Sequence, residues 1–272
     1  MRSSAPRSYL FVPGNRPERF TKACSAGADA VIIDLEDAVP FSEKATARAA
    51  LAAWLSSSQP VLVRINGTQS EWFRDDVELC RHPAVMGIVL PKAQEAEEIG
   101  FIAERIGMDK SILPLIETAR GMWQALDLAQ TPPVQRLLFG SIDFQLDLGI
   151  DGEGEELLYF RSRLVLVSRV AGIHSPVDGV CQTIDSPEAL RADSLRAKHL
   201  GFGAKLCIHP KQVAQVNQCF SPTPEEVAWA TKVMKAAAAA GDAAVAVDGK
   251  MVDRPIILKA QEILRMQSSG AL

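Results

Sequence analysis

Residues 30–65 read AVIIDLEDAVPFSEKATARAALAAWLSSSQPVLVRI, and this stretch decides the fold. It contains two apolar runs, 30–35 and 61–65, in which hydrophobic residues mostly follow one another instead of alternating with polar ones. Such runs are typical of parallel strands that are covered on both faces. The alanine- and arginine-rich segment 43–55 between them has the length of a crossover helix, which parallel strands require. The stretch therefore predicts a β-α-β unit.

The same strand-then-helix pattern recurs along most of the chain, with another clear helix over 94–106. Strands are predicted over 9–13, 30–35, 61–65, 87–91, 112–116, 137–141, 176–180 and 205–209. Eight such strands match a (β/α)8 TIM barrel better than a doubly wound sheet, which more often has about five or six. The segment VPGNRP at 12–17 also lacks the GxGxxG pattern of a dinucleotide-binding sheet. We therefore predict an α/β protein with a TIM barrel.

The pattern changes near the C-terminus. In order it predicts a helix from Thr223 to a stop at Gly241, two strands at 243–247 and 250–252 around an Asp248-Gly249 turn, and a last helix from Pro255 to near Gln267. We expect a catalytic barrel over 1–222 and a helix-hairpin-helix appendage over 223–272, which is too small to be an independent domain.

The composition excludes several classes of protein. Of the 272 residues, 47% are hydrophobic and 23% are charged, which excludes a disordered or collagen-like chain. The formal net charge of -4, with both signs mixed along the chain, argues against nucleic acid as a partner. The five scattered cysteines form no CxxC pair, as in proteins of a reducing compartment. With no signal peptide and no apolar run of membrane-spanning length, a cytoplasmic protein without membrane contact is expected.

Polar side chains stand at the carboxyl ends of the predicted strands, which face a single mouth in a barrel. They are Asp34, Glu36 and Asp37 after strand two, Arg64 and Asn66 after three, Lys92 after four, Glu117 after five, Asp143 after six, and His209 after eight. We expect an active site where they converge.

Glu117 and Asp143 are candidates to hold Mg²⁺, with Mn²⁺ as the alternative ion. Mg²⁺ takes one or two protein carboxylates and keeps other positions for water and substrate. Each carboxylate could instead cap the following helix or pair with an arginine. Arg64 has the planar fork that binds a carboxylate, so it could bind an acidic substrate, form an ion pair with Glu36 or Asp37, or do both.

Two other residues have structural interpretations. His209, which precedes Pro210 at the end of the last strand, is expected to cap or close the barrel, and Cys207 is expected to pack in the core. The sequence contains neither an HExxH motif nor a nucleophile elbow, so hydrolysis by those routes is not indicated.

A set of short motifs runs through almost the whole chain. They read RSYLFVPG at 7–14, DLEDAV at 34–39, VRIN at 63–66, LPK at 90–92, IETARG at 116–121, GSID at 140–143, GF at 201–202, HP at 209–210 and GKMVD at 249–253. As a set, and in this order, they resemble the citrate lyase beta-subunit-like (CitE-like) family of the HpcH/HpaI aldolase superfamily.

The resemblance implies a TIM barrel, usually homotrimeric, that cleaves or forms a carbon-carbon bond in 3-hydroxyacyl thioesters. It implies that Glu117 and Asp143 hold Mg²⁺. It also implies that Arg64 binds the carboxylate of the oxo acid, with Glu36 and Asp37 nearby.

The resemblance also implies roles for residues that are not at the ends of strands two to six. Asp253 would come from the appendage of an adjacent subunit and act as acid or base at the acetyl carbon. The phosphate-bearing end of coenzyme A needs cations and backbone donors, which Asn15, Arg16, Arg19 and Lys22 could supply after the first strand. The alternative is that these are solvated charges of the first helix.

We therefore expect a Mg²⁺-dependent lyase that cleaves or forms a 3-hydroxyacyl-CoA thioester of the malyl-, citramalyl- or methylglutaryl-CoA type. The products of cleavage would be acetyl- or acyl-CoA and an oxo acid. One alternative is a citrate lyase beta subunit that acts on an acyl-carrier-protein thioester. The others are a CoA-free class II oxo-acid aldolase and a non-catalytic barrel subunit. Residues 65–68 and 141–145 depart from the citrate lyase subunit and favour a stand-alone enzyme, and the intact acids argue against a scaffold.

Overall fold

The computed structural model describes residues 5–55, 59–240 and 245–269. Within them, eight parallel strands pair in chain order, and the eighth pairs back with the first to close a barrel. The strands are β1 (Ser8–Pro13), β2 (Ala30–Asp34), β3 (Val61–Arg64), β4 (Val85–Leu90), β5 (Ser111–Ile116), β6 (Leu138–Phe139), β7 (Val177–Asp178) and β8 (Ala204–Cys207). The predicted (β/α)8 barrel is confirmed.

Helices alternate with these strands. They are α1 (Phe20–Cys24), α2 (Lys44–Leu55), α3 (Phe73–Leu79), α4 (Ala96–Ile106), α5 (Ala119–Trp123), α6 (Ala125–Gln130), α7 (Ser141–Leu148), α8 (Leu158–Ala171), α9 (Pro187–Leu200) and α10 (Pro210–Phe220). Helix α4 illustrates why they form, because its buried residues Ile99, Ile102 and Ile106 recur at helical spacing. A capping box between Glu95 and Glu98 starts this helix.

The barrel interior is filled by the inward-facing side chains of alternate strand positions. They are Tyr9, Ala30, Ile32, Leu62, Val89, Leu113, Leu115, Leu138, Val177, Ala204 and Leu206, with Phe11 and Val180 packed against them. Layers of this kind make a solid core, so polar chemistry is confined to the strand ends.

Strands β6 and β7 have two residues each, whereas five were predicted for each. The prediction that the sixth strand reaches Ser141 is wrong, because the chain turns at Gly140 and Ser141 begins α7. The Phe144 N–H already bonds to the Gly140 carbonyl at 3.0 Å. This early helix start moves Asp143 from a strand end to the first turn of a helix.

A buried charged cluster lies outside the barrel wall, on β7, β8 and the helices α8 and α9. Lys205 Nζ lies 2.9 Å from Asp178 Oδ2 and 2.5 Å from Asp193 Oδ2. Arg161 Nε donates to Asp178 Oδ1 at 2.9 Å. The side chains of Lys205 and Asp178 are fully buried. Because neighbours Ala204 and Leu206 point inward, alternation along β8 sends Lys205 outward, into the layer between strands and helices.

The chain divides into two compact units, one formed by Pro6–Asn217 and one that includes Gln218–Leu272. In the second unit α11 (Pro224–Ala240) is followed by β9 (Val245–Val247), β10 (Lys250–Val252) and α12 (Arg254–Ser269), so the predicted appendage is confirmed as helix, hairpin and helix. Gly241 and the predicted strand residues 243–244 lie outside the described residues. The domain limits 1–222 and 223–272 stay a prediction.

The second unit has its own small core of Ala230, Val233, Val247, Val252 and Ala260. Strands β9 and β10 pair antiparallel around the Asp248-Gly249 turn, where both residues have positive φ, 50° and 75°. Among the described residues, no helix is both long and apolar enough to cross a bilayer.

Candidate active site

The carboxyl ends of the barrel strands surround a cavity of about 240 Å³. Its lining comprises Phe11, Asp34, Asp37, Ala38, Arg64, Leu115, Glu117, Phe139, Gly140, Ser141, Ile142, Asp143, Val180, Leu206 and Ile208. Leu115 and Leu206 also belong to the barrel interior, so charged groups here stand against an apolar floor. In such surroundings electrostatic interactions are stronger than in bulk water.

Arg64 and Asp34 occupy paired positions at the ends of β3 and β2. Arg64 Nε and Nη2 donate to the two carboxylate oxygens of Asp34 at 2.7 and 2.6 Å, which is a bidentate ion pair. Nη1 has only longer contacts, 3.3 Å to Glu36 Oε2 and 4.0 Å to Asp37 Oδ2. Burial alone would lower the pKa of Arg64, but the charge and hydrogen bonds of Asp34, together with the charges of Glu36 and Glu117, outweigh burial and raise that pKa. The guanidinium is therefore fixed in the cavity wall with Nη1 as its least engaged nitrogen.

Asp34 also orders the acidic loop that follows β2. Its Oδ1 accepts the Glu36 N–H at 2.9 Å and its Oδ2 accepts the Ala38 N–H at 3.1 Å. Lys44 Nζ donates to the carbonyls of Leu35 and Glu36 at 2.9 and 2.6 Å. This loop buries the Glu36 side chain, whereas the Asp37 side chain is 53% exposed. The two acids named by the sequence thus have different surroundings.

Glu117 follows β5 and is buried at the edge of the cavity. Its Oε1 accepts the backbone N–H of Lys92 at 2.8 Å, whereas its Oε2 is buried without a hydrogen-bond partner among the described residues. Burial, and then the charge of Asp143, raise the pKa of Glu117 to about 8 against the opposing charge of Arg64. A buried carboxylate oxygen without a partner is costly unless a cation or a donor joins it.

Gly140 is the reason that the Glu117 side chain fits. A Cβ atom at position 140 would lie 2.4 Å from Glu117 Oε2 and 2.5 Å from Glu117 Cβ. Both distances are below any real contact, so a larger residue would displace the carboxylate. The missing side chain at the β6–α7 junction makes the space in which Glu117 lies.

Asp143 lines the same cavity from the first turn of α7. Glu117 lines this cavity too, and the charge of Asp143 contributes to the raised pKa of Glu117. Within the described ranges, no group of three or more His, Cys, Asp or Glu side chains is arranged to hold a metal ion. The donor set is therefore two carboxylates, one with an orphaned oxygen, which fits a hard divalent cation that keeps several waters.

The remaining predicted site residues lie elsewhere. Arg16, Arg19 and Lys22 are exposed after β1, and Asn15 Nδ2 donates to Glu43 Oε2 at 2.6 Å. Asp253 belongs to the second unit, where its Oδ1 accepts the Ile256 N–H at 3.2 Å and caps α12. These roles stay predictions.

His209 does not line the cavity. Its Nδ1 accepts the Lys211 N–H at 3.2 Å at the start of α10, as the capping interpretation expects. Cys207 is fully buried in β8, and burial raises the pKa of its thiol to about 12.

Two of the strand-end residues that the sequence placed at the barrel mouth, Asp34 and Lys92, were given no specific role by it. Asp34 could have been identified from register, because equal steps along β2 and β3 place it beside Arg64. Lys92, whose Nζ donates to Glu36 Oε1 at 2.7 Å, has no such signal. Lys92 makes this contact from a backbone with a positive φ of 48°, and neither composition nor hydrophobic periodicity predicts such an angle.

Comparison with known proteins gives consistent matches. A family model described as HpcH/HpaI aldolase/citrate lyase matches residues 7–210. A citrate lyase subunit beta-like protein of Deinococcus radiodurans is 38% identical over 274 residues, covering 95% of this chain and 96% of its own. A (3S)-malyl-CoA thioesterase of Cereibacter sphaeroides is 33% identical over 267 residues, covering 95% and 93%.

A solved structure is similar over nearly the whole chain. The Mycobacterium tuberculosis protein CitE, in complex with magnesium, acetoacetate and coenzyme A, superposes with a TM-score of 0.86 and 32% sequence identity. The match covers 98% of this chain and 100% of that one. The likeness therefore includes both the barrel and the C-terminal unit.

Proposed function

Because the chain belongs to the HpcH/HpaI aldolase/citrate lyase family, we propose that it is a Mg²⁺-dependent carbon-carbon lyase that cleaves, or in reverse forms, a 3-hydroxyacyl-CoA thioester. The observation that carries the proposal is the orphaned Glu117 Oε2, which shares a cavity with Asp143 and Arg64. The relative from M. tuberculosis was crystallised with magnesium, an oxo acid and coenzyme A, the three ligands that this chemistry needs.

Glu117 and Asp143 would hold the metal. When bound, Mg²⁺ acts as a Lewis acid that stabilises negative charge on the oxygens of the oxo acid as the carbon-carbon bond breaks. Arg64 would orient the carboxylate of that acid through Nη1, because Nε and Nη2 are already bonded to Asp34. Glu36 and Asp37, which lie 3.3 and 4.0 Å from Nη1, would position this end of the substrate.

Bond cleavage leaves an electron pair on the α carbon of the thioester, which a positioned acid must protonate. We assign this proton to Asp253 of an adjacent subunit, with Arg16, Arg19, Lys22 and Asn15 binding the phosphate-bearing end of coenzyme A. In the direction of synthesis, the same Asp253 carboxylate would remove a proton from acetyl-CoA.

A second activity is favoured by one comparison. Relatives 33% identical to this chain are named (3S)-malyl-CoA thioesterases, and hydrolysis of the thioester would use the same substrate. The two activities give different products. A lyase releases an oxo acid and an acyl-CoA, whereas a thioesterase releases a hydroxy acid and free coenzyme A.

The test is a panel of malyl-, citramalyl-, methylmalyl- and hydroxymethylglutaryl-CoA, each incubated with Mg²⁺, with Mn²⁺ or with EDTA. We expect metal-dependent release of an oxo acid from one member, measured as its phenylhydrazone, without stoichiometric release of free thiol. Thiol without oxo acid would establish the hydrolase instead. No turnover of any member would contradict both, and would direct the assay to acyl-carrier-protein thioesters and to free oxo acids.

A homotrimer with shared active sites is also proposed. The barrel unit exposes large apolar side chains on α5, α7 and α8, including Trp123, Leu146, Tyr159 and Leu166, and such patches commonly become buried in interfaces. We expect light scattering to give three times the mass of the chain.

Sharing of the site is tested by mixing two inactive variants. Asp253→Asn and Glu117→Gln chains, unfolded together and refolded at equal concentration, should recover about a quarter of the wild-type activity, because random assembly pairs intact barrels with intact tails. Each variant refolded alone is the control. No recovery in the mixture would place Asp253 and Glu117 of one site in the same chain.

A further inference from the structure

Lys92 follows the end of β4 and contacts the candidate active site with two different parts of one residue. Its backbone N–H donates to Glu117 Oε1 at 2.8 Å, and its Nζ donates to Glu36 Oε1 at 2.7 Å. Glu36 Oε2 in turn lies 3.3 Å from Arg64 Nη1. Lys92 thereby links two parts of the site. One is Glu117, the proposed metal ligand, and the other is Arg64, the proposed substrate-binding residue, which Lys92 reaches through Glu36.

The backbone at Lys92 adopts a conformation that residues with a Cβ atom seldom take. Among the described residues, Lys92 and Asp248 are the non-glycine residues with positive φ, and Asp248 stands in a hairpin turn that requires it. The angle φ sets the rotation between a residue's N–H and its Cα–Cβ bond. At 48° in Lys92 it allows the N–H to reach Glu117 while the side chain reaches Glu36. A strained backbone conformation persists only where many surrounding contacts hold it in place, and such conformations are concentrated at functional sites.

The charges around Lys92 give its ammonium group a specific partner. Asp34 already accepts two hydrogen bonds from Arg64. Without Lys92, the buried Glu36 would keep only contacts at Oε2, which accepts the Asp37 N–H at 3.2 Å and lies 3.3 Å from Nη1 of Arg64. Lys92 Nζ is closer to Glu36 than to the half-exposed Asp37, 2.7 against 3.9 Å. With Glu36 held by Lys92, Nη1 is not drawn into a tighter pair with it.

We propose that Lys92 is a positioning residue with two separable functions. Its backbone N–H holds Oε1 of Glu117 and leaves Oε2 available to a metal, and its ammonium binds Glu36 at Oε1, which keeps Glu36 from pairing more tightly with Arg64 and lets Nη1 bind the substrate carboxylate. This inference rests on the proposed function. It predicts that backbone and side-chain changes at one position affect two different measurements.

Three variants separate the two functions. Lys92→Met removes the ammonium with little change in side-chain length and in backbone preference. Lys92→Arg keeps the cation. Lys92→Val cannot adopt the positive φ without severe strain, so the N–H must leave Glu117. Binding of Mn²⁺ is measured by electron paramagnetic resonance on the metal alone, and KM and kcat are measured on the thioester that the wild-type enzyme turns over.

Loss of a group that orients a metal ligand typically weakens metal binding by about 10- to 100-fold, so we expect this weakening in Lys92→Val and an unchanged Mn²⁺ affinity in Lys92→Met. Lys92→Met should raise KM by about tenfold with kcat nearly unchanged, because ground-state and transition-state binding of the carboxylate are lost together. Lys92→Arg should restore KM.

Failure of this inference differs from failure of the proposed function. If the wild-type enzyme binds no Mn²⁺, the proposed function is wrong and this inference falls with it. If the wild-type enzyme binds Mn²⁺ and Lys92→Val binds it equally well, the backbone function is wrong. Should Lys92→Val not fold, Lys92→Gly decides the backbone function, because glycine adopts the positive φ readily, and a loss of Mn²⁺ affinity in Lys92→Gly would overturn that function. The side-chain function is decided by a cycle with Glu36→Gln, in which additive effects of Lys92→Met and Glu36→Gln on KM would overturn it.

Discussion

The Glu117→Gln enzyme is expected to lose Mg²⁺ binding and to fall about 10³-fold or more in kcat/KM, the scale seen when a group that stabilises developing charge is removed. Glutamine has nearly the shape of glutamate, so it can still accept the Lys92 N–H through its amide oxygen. It has no second anionic oxygen in the position of Oε2, the atom that lacks a partner in this structure. The loss would therefore arise from the missing charge and not from a change in packing.

The same substitution should stabilise the metal-free protein. Glu117 is buried beside Asp143, and burial and that like charge together raise its pKa to about 8, so its ionised form is disfavoured in the folded state. Removing the titratable group removes this cost. The effect should grow as the pH rises from 5 toward 8, because over this range the unfolded chain ionises Glu117 whereas the folded state keeps it protonated. We expect a higher Tm for Glu117→Gln than for wild type in EDTA, and a lower Tm than wild type in saturating Mg²⁺.

Glu104→Gln is the matched control, because it makes the same glutamate-to-glutamine change at an exposed position of α4. It should alter neither Mn²⁺ affinity nor turnover. Equal Mn²⁺ affinity in wild type and Glu117→Gln would contradict the assignment of Glu117 as a metal ligand, whatever the effect on rate.

Lys205→Met is expected to lower the free energy of unfolding by about 3–5 kcal/mol, because it leaves the buried Asp178 and the partly buried Asp193 without their shared cation. Lys205 Nζ lies 2.9 Å from Asp178 and 2.5 Å from Asp193, and its side chain is fully buried. Arg161 would still pair with Asp178, but Asp193 would keep only Arg196. Urea unfolding monitored by circular dichroism measures the loss.

The matched control is Lys211→Met. Lys211 pairs with Asp185 at 3.2 Å, but both side chains are exposed, and such pairs contribute about 0–1 kcal/mol. A loss from Lys205→Met no larger than that from Lys211→Met would show that the buried cluster stabilises nothing.

The Lys205→Met effect should depend on pH in a definite direction. Burial alone would raise the pKa of Asp178, but Lys205 and Arg161 outweigh it and lower that pKa below its ordinary value. A carboxyl group with a lowered pKa contributes stability above its unfolded pKa and loses it as the pH falls through the folded one. The difference between wild type and Lys205→Met should therefore be constant near neutrality and should narrow below about pH 4.

The fold was predictable from the sequence because burial on both faces leaves a simple pattern. Continuous apolar runs such as Val31–Ile33 identify a parallel strand without knowledge of its neighbours. Strand ends were less predictable where pairing is brief. Strand β6 pairs with β7 only at Leu138 and Val177, so nothing in the apolar run around it marks where the ladder stops.

The candidate site was predictable as a set of strand-end residues, but not as a set of contacts. The sequence named Glu36 or Asp37 as an alternative, structural partner of Arg64, and Glu36 does lie 3.3 Å from Nη1. The bidentate partner, however, is Asp34. Strand register decides this contact, and register depends on how two distant segments pair. The hydrogen bond from Lys92 to Glu117 depends on a backbone angle at one residue, which hydrophobic periodicity does not record.

The two-point attachment of Arg64 to Asp34 has a consequence for inhibitor design. A free guanidinium favours ligands with two parallel acceptor oxygens, but here that geometry is already occupied by an internal carboxylate. A competitive inhibitor should therefore gain little from a planar, two-oxygen anchor at this point. Affinity would come from a single acceptor directed at Nη1, combined with a group that chelates the ion that we propose is bound by Glu117 and Asp143.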